Sequence, residues 1–303
     1  MPYGSDPFSS PGIWLKGNLH THSSRSDGDL APDEVVNWYA DRGYDFLAIT
    51  DHRTRTIVDP PEGDRLTLIP SMEFDLWEEV TGFEFHVLGI GIKSIDESLR
   101  GESLRQTVAE IKSDGGLAIL AHPHWHGLTT DVVLNCDGLD GMEVFNATTE
   151  DMNGKGESGY LWDSLLDGGM DLLGVAVDDA HWRGDDSGKA WIMAKAIDGG
   201  PEAILEAIGK GSFYSTQGPE IHDFTVTRDG AQARSSPVSE IRFISQRSLG
   251  RRVRSDGDLM ETADYSFRGR EKYVRLVCID KDGKMAWSNP IARPNAEGAA
   301  EVQ

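Results

Sequence analysis

Short apolar runs alternate with segments of helical periodicity along the first two thirds of the chain. Residues 46–50, 116–121 and 171–177 are such runs, each of about five to seven residues and each bounded by turn-forming or polar residues. Pro32, followed by two acidic residues, is typical of a helix start, because proline suits the first turn and acids suit its positive end. This alternation predicts parallel strands joined by crossover helices, and therefore an α/β fold.

Residues that commonly bind metals lie at the ends of these apolar runs. In α/β barrels, functional groups gather at the carboxyl ends of the strands. The residues in such positions are His52, Glu73, His122, Asp179 and His181. We therefore expect their side chains to meet at one mouth of the fold.

A His-x-His pair precedes all of these residues. His20 and His22 follow the apolar residues 13–15, and on an extended strand residues i and i+2 point to the same side. Asp27 follows in a glycine-containing loop able to turn back towards the pair. His86 lies inside the run 83–91 rather than at its end, and a hydrogen-bonded core histidine is the alternative there.

The candidate metal ligands are therefore imidazoles and carboxylates. They are His20, His22, Asp27, His52, Glu73, His86, His122, Asp179 and His181. Such a set without thiolates suits zinc, manganese or iron in a catalytic rather than a purely structural site. The set is too large for one ion, so we expect two or three divalent ions that share Glu73 as a bridge.

A charge count constrains the substrate of such a centre. Three divalent ions, three carboxylates and one bridging hydroxide would leave the pocket with a net charge of about +2. This favours a small anionic substrate, with a phosphoester as the obvious choice, attacked by the metal-bound hydroxide. With only two ions, a neutral ester or carbamate becomes competitive.

Further residues near the candidate ligands are possible substrate contacts or catalytic groups. Arg53 would clamp a phosphate or carboxylate, with a surface salt bridge as the alternative. His124 is a candidate acid for the leaving group and His126 a candidate substrate contact, unless both are loop residues. Asn146 is predicted to hydrogen-bond substrate, and Asp178 to contact substrate or orient a histidine.

Assembled in order, these motifs resemble the PHP (polymerase and histidinol phosphatase) family of metal-dependent hydrolases. The matching segments are 20–22, Asp27, 50–52, Glu73, His86, 121–123 and 179–181. The resemblance implies a distorted (β/α)7 barrel and a centre of two or three metals. It also implies the grouping of ligands into three sites, which are His20, His22, Glu73 and Asp179; Glu73, His86 and His122; and Asp27, His52 and His181.

A closer likeness is to the CehA/McbA-like branch of this family, which includes carbaryl hydrolases. Its carriers are residues 177–182, 213–221 and 286–291. The favoured function is a phosphoesterase that hydrolyses phosphomonoesters or phosphodiesters. This branch implies the alternative of a carbamate or carboxylic ester hydrolase. A metal-binding regulatory domain without turnover is the alternative from another class.

The chain is expected to divide into a PHP-type metallohydrolase barrel over 13–217 and a small C-terminal antiparallel β module over 218–294. Residues 1–12 and 295–303 are predicted to be tails, the second of them disordered. In the module, Arg247, Arg251, Arg252 and Arg254 form a basic patch, interpreted as a solvated loop or a partner contact.

Composition excludes several function classes. A net charge of -22 argues against an extended nucleic-acid surface. No apolar run is long enough to span a bilayer, so no membrane partner is expected. The N-terminal residues lack the pattern of a signal peptide, and a cytoplasmic location is therefore the expectation.

Overall fold

A computed structural model describes residues 6–61, 63, 65–80, 82–94 and 103–294 of the 303-residue chain. The tail predicted from residue 295 lies outside the described residues, and so do residues 95–102, which precede the second helix. The described part of that helix begins after Ser103, whose hydroxyl accepts a hydrogen bond from the backbone N–H of Gln106.

The chain folds into a mixed α/β structure. Its helices are α1 (Pro32–Ala40), α2 (Leu104–Ser113), α3 (Thr130–Val133), α4 (Ala147–Asn153), α5 (Gly159–Asp167) and α6 (Pro201–Gly209). Its first strands are β1 (Ile13–Asn18), β2 (Phe46–Leu47), β3 (Thr67–Leu68), β4 (Ser71–Glu78), β5 (Phe83–Ile90), β6 (Leu117–Leu120), β7 (Gly141–Asn146), β8 (Leu173–Val177) and β9 (Trp191–Ala196). The later strands are β10 (Phe213–Thr216), β11 (Ile221–Val226), β12 (Gly230–Val238), β13 (Glu240–Ile244), β14 (Gly250–Arg254), β15 (Met260–Ser266), β16 (Tyr273–Ile279), β17 (Met285–Ser288) and β18 (Ile291–Ala292).

A ten-stranded sheet and a five-stranded sheet form the frame of the fold. The larger sheet has the order β14-β13-β16-β17-β10-β9-β1-β2-β3, with β18 paired to β16, and the smaller has the order β4-β5-β6-β7-β8. Single bridges, Thr21 to Ala180 and His52 to Glu73, join the two sheets. The mixed α/β prediction is confirmed. The predicted distorted (β/α)7 barrel is not confirmed, because the described strands form separate sheets rather than one continuous ring.

The strands around Glu73 differ from the all-parallel prediction. Pro70 separates β3 from β4, so Glu73 lies near the start of β4 and not at the end of a strand. Strands β4 and β5 are antiparallel, since the few residues between them are too short for a parallel crossover. Asp75 lies opposite His86 in this pair, and Glu73 is two residues before Asp75. All three side chains therefore point to the same face of the sheet.

Helix α1 forms where the sequence predicted it. Pro32 occupies its first turn, and the Glu34 carboxylate accepts a hydrogen bond from the backbone N–H of Ala31 at 2.9 Å. Its apolar face, which includes Val35, Val36 and Tyr39, is buried against the sheet. The Tyr39 hydroxyl thereby reaches the end of β8, where the candidate site lies.

Strand β10 precedes the predicted domain boundary at residue 217 and pairs with β17, which follows it. The ten-stranded sheet thus continues across that boundary, while β11, β12 and β15 form a separate three-stranded sheet. The division into two domains stays a prediction.

The basic patch lies on strand β14, and the interpretation as a solvated loop was wrong for three of its arginines. Arg251, Arg252 and Arg254 belong to this edge strand of the ten-stranded sheet. Arg252 and Arg254 pair with the Glu240 carboxylate on the neighbouring strand. Charged side chains on an edge strand oppose pairing with other chains.

No helix in the described part of the chain is both long and apolar enough to cross a membrane.

Candidate metal centre

Four ligand-type atoms converge at the junction of the two sheets. His20 Nε2 and His22 Nε2 lie 3.2 Å apart, and Glu73 Oε2 is 3.2 Å from each of them. Asp179 Oδ1 is 3.0 Å from His20 Nε2 and 3.1 Å from His22 Nε2. All four residues are buried, so water contributes little to the solvation of these groups.

The surroundings of the second ring nitrogen, Nδ1, determine which nitrogen of each histidine carries the proton. His20 Nδ1 lies 2.6 Å from Glu143 Oε1, and His22 Nδ1 lies 3.3 Å from Ser26 Oγ and 3.4 Å from Asp27 Oδ1. A proton on each Nδ1 satisfies these acceptors and leaves both Nε2 lone pairs directed at the two carboxylate oxygens. Four lone-pair atoms facing one point repel each other unless a positive charge lies between them.

A divalent ion fits this arrangement. Ligand bonds of about 2.0 to 2.2 Å in tetrahedral or octahedral geometry place neighbouring donor atoms about 3.0 to 3.5 Å apart. The measured separations fall in this range. Glu73 Oε2 and Asp179 Oδ1 are buried and accept no hydrogen bond from any residue that the structure describes.

The second carboxylate oxygen of Glu73 faces a different pair of histidines. Glu73 Oε1 is 2.9 Å from His86 Nδ1 and 3.3 Å from His122 Nε2. One carboxylate thus presents one oxygen to each of two groups of imidazoles. This is the geometry expected of a carboxylate that bridges two ions.

A third group lies on the open side of the cluster. His22, Asp27, His52 and His181 offer donor atoms within 4.8 Å of one another. His181 Nε2 is 3.3 Å from Asp27 Oδ2, and its Nδ1 lies 2.8 Å from the backbone oxygen of Asp179. The structure therefore brings together all the candidate ligands that the sequence indicated. Their role as ligands and their division into three sites stay predictions.

Glu143 is a supporting residue that the sequence reasoning missed. It is fully buried on β7 and accepts hydrogen bonds from His20 Nδ1 at 2.6 Å, from the backbone N–H of His122 at 2.7 Å and from Asn146 Nδ2 at 2.8 Å. It holds His20 in a single tautomer and orientation. The available signal was a glutamate inside an otherwise apolar strand.

Asp51 performs a similar task for the loop that carries Asp27. It accepts hydrogen bonds from the backbone N–H of Ser23 at 2.7 Å and from Ser26 Oγ at 2.7 Å. Ser26 in turn contacts His22 Nδ1. The sequence motif 50–52 thus supplies both a candidate ligand, His52, and an anchor for the His-x-His loop.

Backbone strain is concentrated at the same place. Arg53, His122 and Asp179 have φ angles of 51°, 25° and 56°, in the region that non-glycine residues rarely adopt. Such conformations persist only where surrounding contacts enforce them. Two of the three residues are candidate ligands and the third directly follows one.

The electrostatics of the cluster show how strongly it favours positive charge. Burial lowers the pKa of His22, but the adjacent carboxylates of Asp179 and Glu73 outweigh this effect and raise the pKa to about 9. Burial raises the pKa of Glu73 and of Asp179, yet the neighbouring histidines hold both pKa values well below the usual range. Without a metal ion, protons on the imidazoles compensate the buried carboxylates.

Two predicted substrate contacts have structural roles instead. The Asn146 amide donates to Glu143 Oε2 and to Asp179 Oδ2 at 3.1 Å, so it positions a candidate ligand inside the core. Asp178 accepts from the Tyr39 hydroxyl at 2.8 Å and from the backbone N–H groups of residues 188–190, and it contacts no histidine. Burial raises the pKa of Asp178 to about 6 despite these hydrogen bonds. Both side chains are fully buried, which leaves no access for substrate.

The remaining predicted contacts lie beside the centre. Arg53 is bound to Asp75, with Nε 2.8 Å from Asp75 Oδ1, which corresponds to the salt-bridge alternative. His124 is exposed, and its Nδ1 lies 2.9 Å from the backbone oxygen of Glu157, so the structure does not bring it to the cluster. His126 packs against His86 and His122.

The cluster forms the floor of a cavity of about 370 Å³. Its walls include Trp125, Thr148, Asp151 and Arg183. Arg183 was not predicted; its Nε lies 3.2 Å from Asp29 Oδ1 and its guanidinium also contacts the backbone oxygen of Asp27. It lies only two residues after His181, and that closeness was the signal the sequence offered.

A mixed α/β fold with buried histidines and carboxylates grouped at the junction of two sheets defines a candidate multinuclear metal site. No protein-family profile matches this chain. A two-domain protein from Bacteroides vulgatus, described as containing a predicted PHP-like metal-dependent phosphoesterase, has a similar structure, with a TM-score of 0.50 and 14% identity over 92% of this chain and 96% of its own. At that identity the likeness is one of fold.

Two relatives are similar in sequence. An uncharacterized protein from Methanocaldococcus jannaschii is 29% identical over 150 residues, which is 45% of this chain and 85% of that protein. The 5'-3' exoribonuclease Rnm from Escherichia coli is 35% identical over 96 residues, which is 29% of this chain and 31% of the exoribonuclease. The match thus spans about a third of that relative's length. These comparisons support the prediction of a metal-dependent hydrolase.

Removal of the Glu143 charge should weaken metal binding without removing a candidate ligand. In the Glu143→Gln variant, His20 loses its charged acceptor, and we expect the affinity for Zn2+ or Mn2+ to fall about 10- to 100-fold. Competition against a chromophoric chelator measures this. The matched control is Glu202→Gln, an exposed glutamate on α6, which should bind metal like the unaltered chain. Equal affinities for both variants would contradict the supporting role of Glu143.

The pH dependence of stability should differ between the metal-free and the metal-loaded protein. The folded-state pKa of His22 is about 9, above the unfolded value, so its proton stabilises the metal-free protein fully below about pH 6.5. That stabilisation is lost as pH rises through about 9. A bound ion replaces the proton, so the metal-loaded protein should lose less stability over this range.

Thermal unfolding from pH 6.5 to 9.5, with and without Zn2+, tests this difference. His22→Gln should reduce it, and His222→Gln, which alters an exposed histidine on β11, should retain it in full. Parallel pH profiles with and without metal in the unaltered chain would refute the linkage.

Proposed function

We propose that this protein is a metal-dependent phosphoesterase that acts on small phosphoesters. The observation that carries the proposal is the convergence of four atoms: Glu73 Oε2 and Asp179 Oδ1 each lie 3.0 to 3.2 Å from His20 Nε2 and from His22 Nε2, and these two nitrogens lie 3.2 Å apart. The second Glu73 oxygen faces two further histidines, so the site suits more than one ion.

The residues that would hold the ions form three groups, two of which share Glu73. The groups are His20, His22, Glu73 and Asp179; Glu73, His86 and His122; and Asp27, His52 and His181. Divalent zinc, manganese or iron bound there would polarise a phosphoryl group and activate water. The third group is the least enclosed, because the Asp27 side chain is 43% exposed and that of His52 is 26% exposed.

The residues of the chain itself provide orientation and enclosure. Glu143 and Ser26 fix the tautomers of His20 and His22, and Asn146 fixes the carboxylate of Asp179. The cavity walls then hold a small substrate against this floor. Arg183 lies at the wall and is positioned to pair with an anionic group of the substrate.

Charge supports a phosphoester over a neutral substrate. Loaded with three divalent ions, the floor of the cavity would become positive although the chain as a whole carries a net charge of -22. One sequence relative is named as an exoribonuclease, and the solved neighbour is described as containing a predicted metal-dependent phosphoesterase. The acidic surface elsewhere favours a small phosphoester over a long nucleic acid.

The likeness to carbaryl hydrolases gives the competing substrate class, carbamates and carboxylic esters, and remains a prediction. Substrates with a common leaving group separate the two classes. We expect the metal-stripped protein, resupplied with Mn2+, Zn2+ or Fe2+, to hydrolyse p-nitrophenyl phosphate or bis-p-nitrophenyl phosphate. It should hydrolyse p-nitrophenyl acetate and a p-nitrophenyl carbamate much more slowly.

The variant Glu73→Gln should reduce this activity more than about 100-fold, beyond the loss expected of a supporting residue, because it weakens the bridge between two groups of ligands. Glu202→Gln again serves as the control, with unchanged rates. Turnover of the carbamate or acetate alone would overturn the phosphoesterase proposal. Tight metal binding with no hydrolysis of either class would favour a regulatory metal-binding domain.

A further inference from the structure

His126 lies beside the second group of candidate ligands, although it is outside the set that the sequence indicated. A tight turn follows His122, in which the backbone N–H of Trp125 donates to the backbone oxygen of His122 at 3.0 Å. This turn brings the ring of His126 to 5.0 Å from that of His122 and 4.6 Å from that of His86, centroid to centroid. The His126 side chain is only 4% exposed.

Its ring nitrogens have unequal surroundings. His126 Nδ1 faces Glu84 Oε2 at 3.9 Å, whereas His126 Nε2 is buried and has no hydrogen-bond partner among the residues that the structure describes. A buried polar atom without a partner is rare in folded proteins and calls for an unseen ligand or a functional role. Hydrogen bonding within the fold therefore does not explain the position of His126.

The Glu84 carboxylate lies at similar distances from the rings of His86 and His126. Its Oε1 is 3.6 Å from His86 Nε2, and its Oε2 is 3.9 Å from His126 Nδ1. These distances are too long for hydrogen bonds. The charge of the carboxylate still favours the proton on the imidazole nitrogen that it faces, and therefore a lone pair on the other nitrogen. The free lone pairs are then those of His86 Nδ1, which faces Glu73, and of His126 Nε2.

We propose that His126 is a fourth protein ligand of the ion held by Glu73, His86 and His122. His86, His122 and His126 offer donor atoms within 4.8 Å of one another, which one ion can satisfy. The inference rests on the metal loading in the proposed function but not on hydrolysis. That ion would then have three imidazole ligands, His86, His122 and His126, beside the Glu73 carboxylate. His126 then acts as a ligand rather than as the predicted substrate contact.

Co2+ titration of the metal-stripped full chain tests the proposal, because visible absorption of Co2+ reports its ligands. We expect His126→Ala to weaken one of the Co2+ binding steps at least about tenfold and to change the absorption spectrum of that step. The matched control is His124→Ala in the same turn, since His124 is exposed and directed at the backbone of residue 157. It should reproduce the unaltered spectrum and affinities.

Two further variants keep the test decisive if His126→Ala folds poorly by circular dichroism. His126→Gln retains bulk and should show the same loss, and Glu84→Gln should weaken the same binding step by a smaller factor. Unaltered Co2+ affinity and spectrum in folded His126→Ala or His126→Gln would overturn the inference. A change in KM alone, with metal binding intact, would also overturn it and assign His126 to substrate.

The outcome is separable from that of the proposed function. Loss of a Co2+ step in the His126 variants, together with inactivity of the unaltered chain on every ester, would leave the ligand assignment intact and refute the phosphoesterase. Phosphoester hydrolysis by the unaltered chain, with normal Co2+ binding in the His126 variants, would support the phosphoesterase and refute the assignment of His126 as a ligand.

Discussion

The structure depends on the electrostatic balance of a small buried volume. In this volume, two carboxylate oxygens each lie 3.0 to 3.2 Å from two imidazole nitrogens, which are themselves 3.2 Å apart, and all four residues are buried away from bulk water. Such a group is unfavourable unless positive charge is placed within it, because the interior screens repulsion poorly. The strained backbone at His122 and Asp179 indicates that the fold holds these groups in place against local preference.

The packing of the two sheets against each other brings these side chains together from distant parts of the chain. His20 and its partner Glu143 are 123 residues apart in sequence, and the bridge between His52 and Glu73 joins the ten-stranded sheet to the five-stranded one. Strand β10 and the segment after strand β17 also stabilise this assembly, through hydrogen bonds to strand β8. The Ser215 hydroxyl bonds to the backbone of β8, and Asn289 Oδ1 accepts the N–H of Gly174 at 2.9 Å. Strand β8 leads directly to Asp179.

Much of this centre was predictable, because ligand chemistry is local in sequence. Histidines and acids at or next to the ends of apolar runs, such as His52 and His122, required only strand periodicity to be identified. The roles of Glu143, Asn146 and Asp178 were not predictable in this way, since each depends on a partner far along the chain. Glu73 was predicted to lie at the end of a strand, but it lies near the start of one, because Pro70 divides an apolar run that appears continuous in the sequence. The antiparallel hairpin of β4 and β5 then follows from a short loop that outweighs the parallel pattern elsewhere.

The central claim is that cations, and not protons alone, balance the buried cluster. Anomalous diffraction from crystals of protein prepared without chelator, with data on both sides of the absorption edges of zinc, manganese and iron, tests it most directly. We expect a strong anomalous peak enclosed by His20, His22, Glu73 and Asp179, and a second peak on the other side of the Glu73 carboxylate. Crystals grown with added metal that show no peak at either position, with the imidazoles hydrogen-bonded to the carboxylates instead, would contradict it.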